Sequence, residues 1–476
     1  MTMNKNKLVT MMVPLVVWLV LLAIPVPHGL KPFAWYYFAI FASVIVGLIL
    51  EPLPGSLIGL MGISATAILQ LIGNKPADSV KWALSGFSNS TVWLIFVAYM
   101  FGLGYEKSGL GKRIALNLVR ILGKRTLGLG YAVALSEFCL APFMPSNTAR
   151  SGGTIYPIIK NIPEIFDSFP GASSRKMGAY LMWTGMATCA VTSTLFLTAN
   201  APNLLGLELV AKVLKISITW REWFLGIFPL GILLFLLVPL LTYWIYPPEI
   251  KISVGADTWA AEKLSAMGKI TPKELMMAAL ALVALVLWIF AGAWLDSTMI
   301  AITVLVLMIL TRIISWEDLL EYRQAWNMLI WFGTLVALAD GLKETGFLKW
   351  FATVTSGLMK GLPIMMIVVL MVAVYYLVHY MFASLTAHAT ALLPVFLTAV
   401  ILVPNMPLKL VAMLLCYTSG VSCMLTPFAS GPSAIYYGGG YISRLDFWRL
   451  GAIFGIIFLS GLLLIGVPYL NWFLSN

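Results

Sequence analysis

Charge is scarce in this chain. Asp, Glu, Lys and Arg make up 10% of its 476 residues, where a soluble domain carries about 25%. With 61% of residues hydrophobic, the scarcity excludes an ordinary soluble protein and implies a polytopic membrane protein. Cysteine is rare too. Cys139, Cys189, Cys416 and Cys423 lie in apolar runs with no metal or redox spacing, so they read as small packing residues. There is no Gly-x-x-x-x-Gly-Lys-Ser/Thr phosphate loop, which excludes direct ATP drive. There is no His-Glu-x-x-His and no paired-carboxylate dyad, which leaves enzymatic chemistry little to stand on. The chain therefore reads as a non-enzyme with no cofactor and no metal. The net charge of +11 does not signal nucleic-acid binding, because the basic residues lie between apolar runs.

What the chain does have is length in its apolar runs. About 20 such residues cross the hydrocarbon. Spans are expected at 9–27, 33–50, 55–73, 90–106, 177–205, 223–246, 275–294, 297–313, 326–341, 410–437 and 450–472. The first has no small-residue cleavage site after it and reads as a retained helix rather than a signal peptide. Two further apolar regions, 126–159 and 363–403, are broken in the middle. With the N-terminus inside and both broken regions returning to their own side, roughly two-thirds of the 30 Lys and Arg residues fall on the inner face. In the first broken region the arm after Asn147 reaches only Pro157 before polarity returns. That is too short to cross, so a re-entrant hairpin is expected, with Pro142, Pro145, Gly152 and Gly153 punctuating its tip.

Both tips are polar. Residues 146–150 read Ser-Asn-Thr-Ala-Arg and residues 384–388 read Ser-Leu-Thr-Ala-His, an offset of 238. Gly104-Tyr-Glu-Lys-Ser-Gly109 resembles Gly341-Leu-Lys-Glu-Thr-Gly346 at an offset of 237. Each knot is followed by an apolar span broken at a proline, in Thr198-Ala-Asn-Ala-Pro-Asn203 and in Thr426-Pro-Phe-Ala-Ser-Gly-Pro432. Helix, hairpin and broken helix thus recur in order, and the number of crossings between the copies inverts the second. Inverted repeats with discontinuous helices at the midplane are the architecture of secondary transporters. The expected division is 1–89, N-terminal scaffold helices; 90–246, first repeat; 247–325, a cytoplasmic loop and linking scaffold helices; and 326–476, second repeat. The fold expected is all-α.

Hydroxyls, an amide and a cation suit an anion, and one knot per repeat suits an anion with two carboxylates. The candidate binding residues are Ser146, Asn147 and Thr148 with Ser384, Leu385 and Thr386, then Thr198, Asn200, Thr426, Pro427, Ser430 and Gly431 beside the helix breaks. The plainer role for Ser146, Asn147 and Thr148 is helix capping, and both roles can hold at once. Near the breaks the plainer role is local backbone satisfaction beside proline. His388 has the alternative of a packed core histidine. Arg150 must face a carboxylate, a cavity or a helix C-terminus, and Glu137 on the other arm is a candidate structural partner. His28 and His379 read as packing residues, and Asp340 as an interfacial one.

With Pro-Ser-Asn-Thr-Ala-Arg150, Phe-Ala-Ser-Leu-Thr-Ala-His388, both proline breaks and Asp446-Phe-Trp-Arg-Leu-Gly-Ala-Ile-Phe454 in view, the chain resembles the divalent anion:sodium symporter (DASS) family along its whole length. It looks most like the bacterial branch of citrate/succinate, tartrate/succinate and 2-oxoglutarate/malate exchangers. The resemblance implies eleven spanning helices plus two re-entrant hairpins, a homodimer in the lipid bilayer, and an elevator cycle that carries the anion between the hairpin tips. It also implies that the residues at both tips hold the carboxylates. Sodium-coupled members carry Ser-Asn-Thr at both tips. Here Leu385 replaces the second Asn, and Arg150 and His388 bring bulk and charge. The expectation is an exchanger of di- or tricarboxylate anions in which Arg150, assisted by His388, stands where relatives use a mobile cation. An empty site would then carry uncompensated charge and return slowly. Sodium- or proton-coupled symport of the same anions is the alternative, and a passive anion channel is argued against by two occluding hairpins. A bacterial plasma membrane with the N-terminus cytoplasmic is the expected location.

Overall fold

The structure, a computed structural model, describes residues 5–50, 52–73, 75–291, 294–356 and 361–475. Residues 292–293, within the span expected at 275–294, lie outside the described residues. Among the described residues the fold is all-α, with one isolated antiparallel bridge between Arg125 and Ile252.

Among the described residues, seven helices are long and apolar enough to cross a membrane, or eight if the pair Pro76–Ser88 and Ser90–Ser108, bent by 41°, is one span. They include Pro32–Leu50, Trp220–Ile245, Pro272–Phe290, Arg323–Glu344 and the continuous Arg444–Ser475. Other expected spans are shorter. The span expected at 55–73 is the 14-residue helix Gly55–Ile68, about 21 Å long. The spans expected at 177–205 and 410–437 are split, as their prolines imply.

Helix starts follow local chemistry. Thr219 with Glu222, and Thr271 with Glu274, form capping boxes at the heads of Trp220–Ile245 and Pro272–Phe290. Asn89 accepts from the Val92 amide at the head of Ser90–Ser108.

At the paired Gly-x-x-x-x-Gly segments, Gly109 has φ +80° and Gly346 has φ +82°. Glycine takes this left-handed geometry without strain. Each ends a long helix and starts a short one, Leu110–Leu122 or Phe347–Ser356. Leu110–Leu122 buries Ala115, Leu116 and Val119, and leaves Lys112 and Arg120 exposed. Its Arg113 is buried, pairs with Glu274 at 2.6 Å, and donates to the carbonyls of Gly268 and Lys269.

The centre of the molecule is Gly178–Leu195, buried along its entire length. Two of its threonine hydroxyls bond back onto the helix itself. Thr192 donates to the Thr188 carbonyl at 3.1 Å and Thr194 to the Ala190 carbonyl at 3.1 Å. A helix buried all round is a platform, and the first hairpin and both breaks pack against it.

Candidate functional site

The first hairpin rises as Thr126–Leu140, tightens into a 3-10 turn at Ala141–Phe143, and returns as a wide π-helical stretch, Thr148–Ile155, then Tyr156–Ile159. The second rises as Ile364–Val378, tightens at His379–Met381, and returns as the α-helix Leu385–Ile401. Their tips are capped alike. The Ser146 hydroxyl accepts from the Ala149 amide at 3.1 Å, and the Ser384 hydroxyl from the Ala387 amide at 3.3 Å. The Arg150 amide donates to the Ser146 carbonyl, and the His388 amide to the Ser384 carbonyl, at 2.8 and 3.0 Å.

The breaks complete the constellation. After Leu195 the chain turns extended at Phe196, makes a 3-10 turn at Leu197–Ala199, and restarts as Ala201–Leu214 with a proline in its first turn. The Asn203 amide reaches back to the Ser193 carbonyl at 2.7 Å, satisfying a backbone group the break exposes. The Ala201 amide donates to the Pro145 carbonyl at 2.8 Å, tying break to hairpin tip. In the second break, Ser430 caps Gly431–Gly438 and donates to the Cys423 carbonyl at 2.7 Å.

A cavity of about 290 Å³ lies where these four elements meet. Ser146, Asn147, Thr148, Asn200, Ser384, Leu385, Thr386, Ser430 and Gly431 line it. None of its lining residues is acidic or basic. The first residues of four helical segments, Thr148, Ala201, Leu385 and Gly431, all border it. The positive ends of helix dipoles favour an anion there. The side-chain amide nitrogens of Asn147 and Asn200 are buried and have no partner among the described residues, which leaves two strong donors for a ligand's acceptors. Gly431 is a close approach: a Cβ there would lie 2.2 Å from the Thr148 hydroxyl oxygen. Only glycine lets the second break press against the first tip.

The other candidates sit behind this surface. Thr198 donates to the Pro142 carbonyl at 2.5 Å and accepts from the Trp220 indole at 3.4 Å. Thr426 is buried and accepts from the Phe428 amide at 3.3 Å. Neither these two nor Pro427 lines the cavity. Local backbone satisfaction, the plainer role, is what these two hydroxyls perform.

Arg150 requires a correction. The uncompensated charge expected of it is absent: Arg150 is fully buried behind the first tip and paired with Glu137. Its Nε donates to Glu137 at 2.9 Å, Nη1 to the carbonyls of Met144 and Ala199 at 2.8 and 2.6 Å, and Nη2 to the Ser193 hydroxyl at 2.9 Å. With four of its five N–H donors on protein oxygens and Nη2 also 3.9 Å from the Cys189 Sγ, the guanidinium has none left for a cavity it does not touch. His388 is also fully buried and away from the cavity. Its ring packs against Tyr375, His379 and Phe382, with centroids 4.3, 4.9 and 5.0 Å away. Neither ring nitrogen makes a well-formed hydrogen bond.

Tyr99, Met328, Trp331 and Phe332 also line the cavity and were not anticipated. They come from Ser90–Ser108 and Arg323–Glu344, the helices that precede the hairpins in each repeat. An aromatic residue in an apolar span reads as core from sequence. The one available signal was that each helix ends in a matched Gly-x-x-x-x-Gly, which marks the pair as equivalent.

Opposed hairpin tips, two broken helices and a charge-free, donor-rich cavity between them are the parts of a polytopic membrane transporter. Comparison with known proteins agrees. The family model for the sodium:sulfate symporter transmembrane region matches residues 5–475, and the chain belongs to that family, the DASS family. It is 48% identical over 470 residues to the L-tartrate/succinate antiporter of Escherichia coli (strain K12), covering 96% of each chain. The L-tartrate/succinate antiporter of Shigella sonnei (strain Ss046) matches to the same extent. Among solved structures, the YdaH transporter of Alcanivorax borkumensis is similar with a TM-score of 0.55 at 14% identity, over 93% of this chain and 99% of that one. That likeness concerns the fold.

Proposed function

We propose that this protein exchanges dicarboxylates, one anion inward for another outward, across a bacterial plasma membrane. The observation that carries the reading is the cavity itself, in which four helix N-termini and two unpartnered amides converge with no acidic residue among them. Each tip takes one carboxylate, with Ser146, Asn147 and Thr148 on one side and Ser384 and Thr386 on the other. The near identity in length and 48% identity to antiporters of L-tartrate and succinate support this substrate class. Succinate, malate, fumarate, tartrate and 2-oxoglutarate share the two carboxylates, and citrate adds a third.

The position of the Arg150 cation, held by Glu137 rather than by substrate, supports exchange over symport. The carbonyls of Met144 and Ala199 and the hydroxyl of Ser193 form an oxygen cage between the tip and the break, of a kind a monovalent metal ion would use. The Arg150 guanidinium fills it. A tethered cation cannot leave with the substrate. The empty cavity then holds convergent positive helix ends and unpaired donors with nothing to neutralise them. Carrying that through a low-dielectric region is costly, so the carrier returns with another anion.

In this reading the two hairpins are re-entrant. The hairpins and broken helices move as one unit against the remaining helices of a homodimer. The N-terminus is cytoplasmic, consistent with the excess of Lys and Arg on that face. His388 supports the second tip from within.

The test is labelled succinate uptake into proteoliposomes. Uptake is expected into vesicles preloaded with unlabelled dicarboxylate, without response to sodium. Accumulation in empty vesicles on a sodium gradient alone would establish the sodium-coupled alternative, which the family description favours. A competition panel of di- and tricarboxylates, L-tartrate and citrate among them, then names the exchanged pair.

A further inference from the structure

The paired short helices each bound a crevice against the returning arm of a hairpin. Beside Leu110–Leu122 the crevice is about 350 Å³, with Lys112, Thr154 and Asn161 on its walls. Beside Phe347–Ser356 it is about 180 Å³, with Lys349 and Thr398. Lys112 and Lys349 are equivalent positions at the repeat offset of 237. In the proposed topology the larger crevice lies on the inner side and the smaller on the outer, the asymmetry expected of an inward-facing carrier.

The narrow crevice has a polar cluster beside it. Lys212 pairs with Asp340 and lies 3.9 Å from Glu208, and it donates to the Val336 carbonyl at 3.4 Å. Glu208 accepts from the Asn89 amide at 2.7 Å and the Thr91 hydroxyl at 3.0 Å. Glu208 and Lys212 share one face of Ala201–Leu214. Asn89 heads the helix Ser90–Ser108, and Asp340 lies near the end of Arg323–Glu344. The cluster therefore joins the second half of a broken helix to both helices that wall the cavity from the other side. All three charged side chains are partly shielded, with Lys212 17%, Glu208 14% and Asp340 26% exposed. Among the described residues, no ion pair bridges the wide crevice in the same way.

We propose that Glu208, Lys212 and Asp340 form an outer latch, which holds the carrier with its cavity turned inward and must part before the cavity can face outside. Ala201–Leu214 is a rigid lever for this purpose: its first residues line the cavity and its last turns carry the latch. Displacement of the anion site relative to Tyr99 and Trp331 therefore pulls Lys212 away from Asp340. The inference rests on the moving-unit reading above.

The test is side-specific thiol labelling in the full-length, reconstituted protein. Thr398 lines the narrow crevice and is buried, so Thr398→Cys should react slowly with an impermeant maleimide added outside. Lys212→Met and Asp340→Asn, each placed in that background, should speed labelling roughly three- to ten-fold. Asn89→Ala should do so less. Swapping the charges, Lys212→Asp with Asp340→Lys, should return labelling toward the parent rate. Unchanged labelling in folded, monodisperse variants overturns the latch, as does a lowered melting temperature with no change in labelling. No anion is needed for this readout, so failure of the exchange reading registers in the preloaded-vesicle assay instead.

Discussion

Four residues past its capping serine the first hairpin carries Arg150, and at the same place the second carries His388. The caps match bond for bond, and the interiors do not. Arg150 is held by a carboxylate, two carbonyls and a hydroxyl. His388 is wrapped by three rings with no carboxylate beside it. The returning arms differ as well, π-helical with Gly152 and Gly153 in one and α-helical over Leu385–Ile401 in the other. What the repeats share is the surface shown to the cavity. What they do not share is the means of holding that surface in place. Matching positions in an internal repeat therefore predict matching caps at the tips better than matching interiors behind them.

The sharpest way to break the comparison is to unpair the first hairpin. Glu137→Gln should leave Arg150 buried without its carboxylate, at a cost of about 3–5 kcal/mol. A steep loss of folded protein and a lower melting temperature in detergent are expected. Arg150→Met should do the same, and combining the two should recover only part of the loss, because the unpaired charge is removed while the Met144 and Ala199 carbonyls stay without their donor. A mild effect of either single change would show that the pair is not what supports the tip.

Next is the contact between the repeats. Gly431→Ala puts a methyl group into the Thr148 hydroxyl and should weaken anion binding at least about tenfold through the displaced donor. Third, the tips themselves should respond unequally. Asn147→Ala removes an unpartnered amide from the cavity and should cost roughly 10- to 100-fold in succinate affinity. Leu385→Ala removes no hydrogen bond and should cost less than about threefold. Equal losses in competition binding would make the two tips one kind of site. The smallest effect is expected from His388→Phe, an aromatic exchange in an aromatic cage, worth within about 1 kcal/mol of stability. The pH profile of exchange should not change with it. A changed profile would assign the imidazole a titrating role.

The broken regions were legible because proline, glycine and hydroxyl residues interrupt apolar runs at matching offsets, and backbone breaks demand those residue types. The short helices Pro76–Leu84, Leu110–Leu122, Ala256–Met267 and Phe347–Ser356 were not, because a test for long apolar runs passes over amphipathic segments of 9–13 residues. At the site, the polar lining could be picked out residue by residue, since a hydroxyl or amide at membrane depth stands out. Tyr99, Met328, Trp331 and Phe332 could not, since nothing distinguishes a cavity-facing aromatic from a packed one until the partner helices are in place. Arg150 shows a third limit. Its partner Glu137 was nameable from sequence, but whether the guanidinium pointed at that partner or at the cavity depended on a π-helical turn that sequence does not announce.

The Glu137–Arg150 pair also bears on how the chain enters the bilayer. The two residues are 13 apart and lie on opposite arms of one hairpin. Each charge alone would cost roughly 2.5–3.5 kcal/mol at the centre of an inserting helix. That penalty would fall on the nascent chain if the arms partitioned one after the other. If the hairpin closes first, the carboxylate meets the guanidinium while both are still near water, and a neutral unit is inserted. The short tip then acts during biogenesis as the element that lets two incompatible charges reach the membrane interior together.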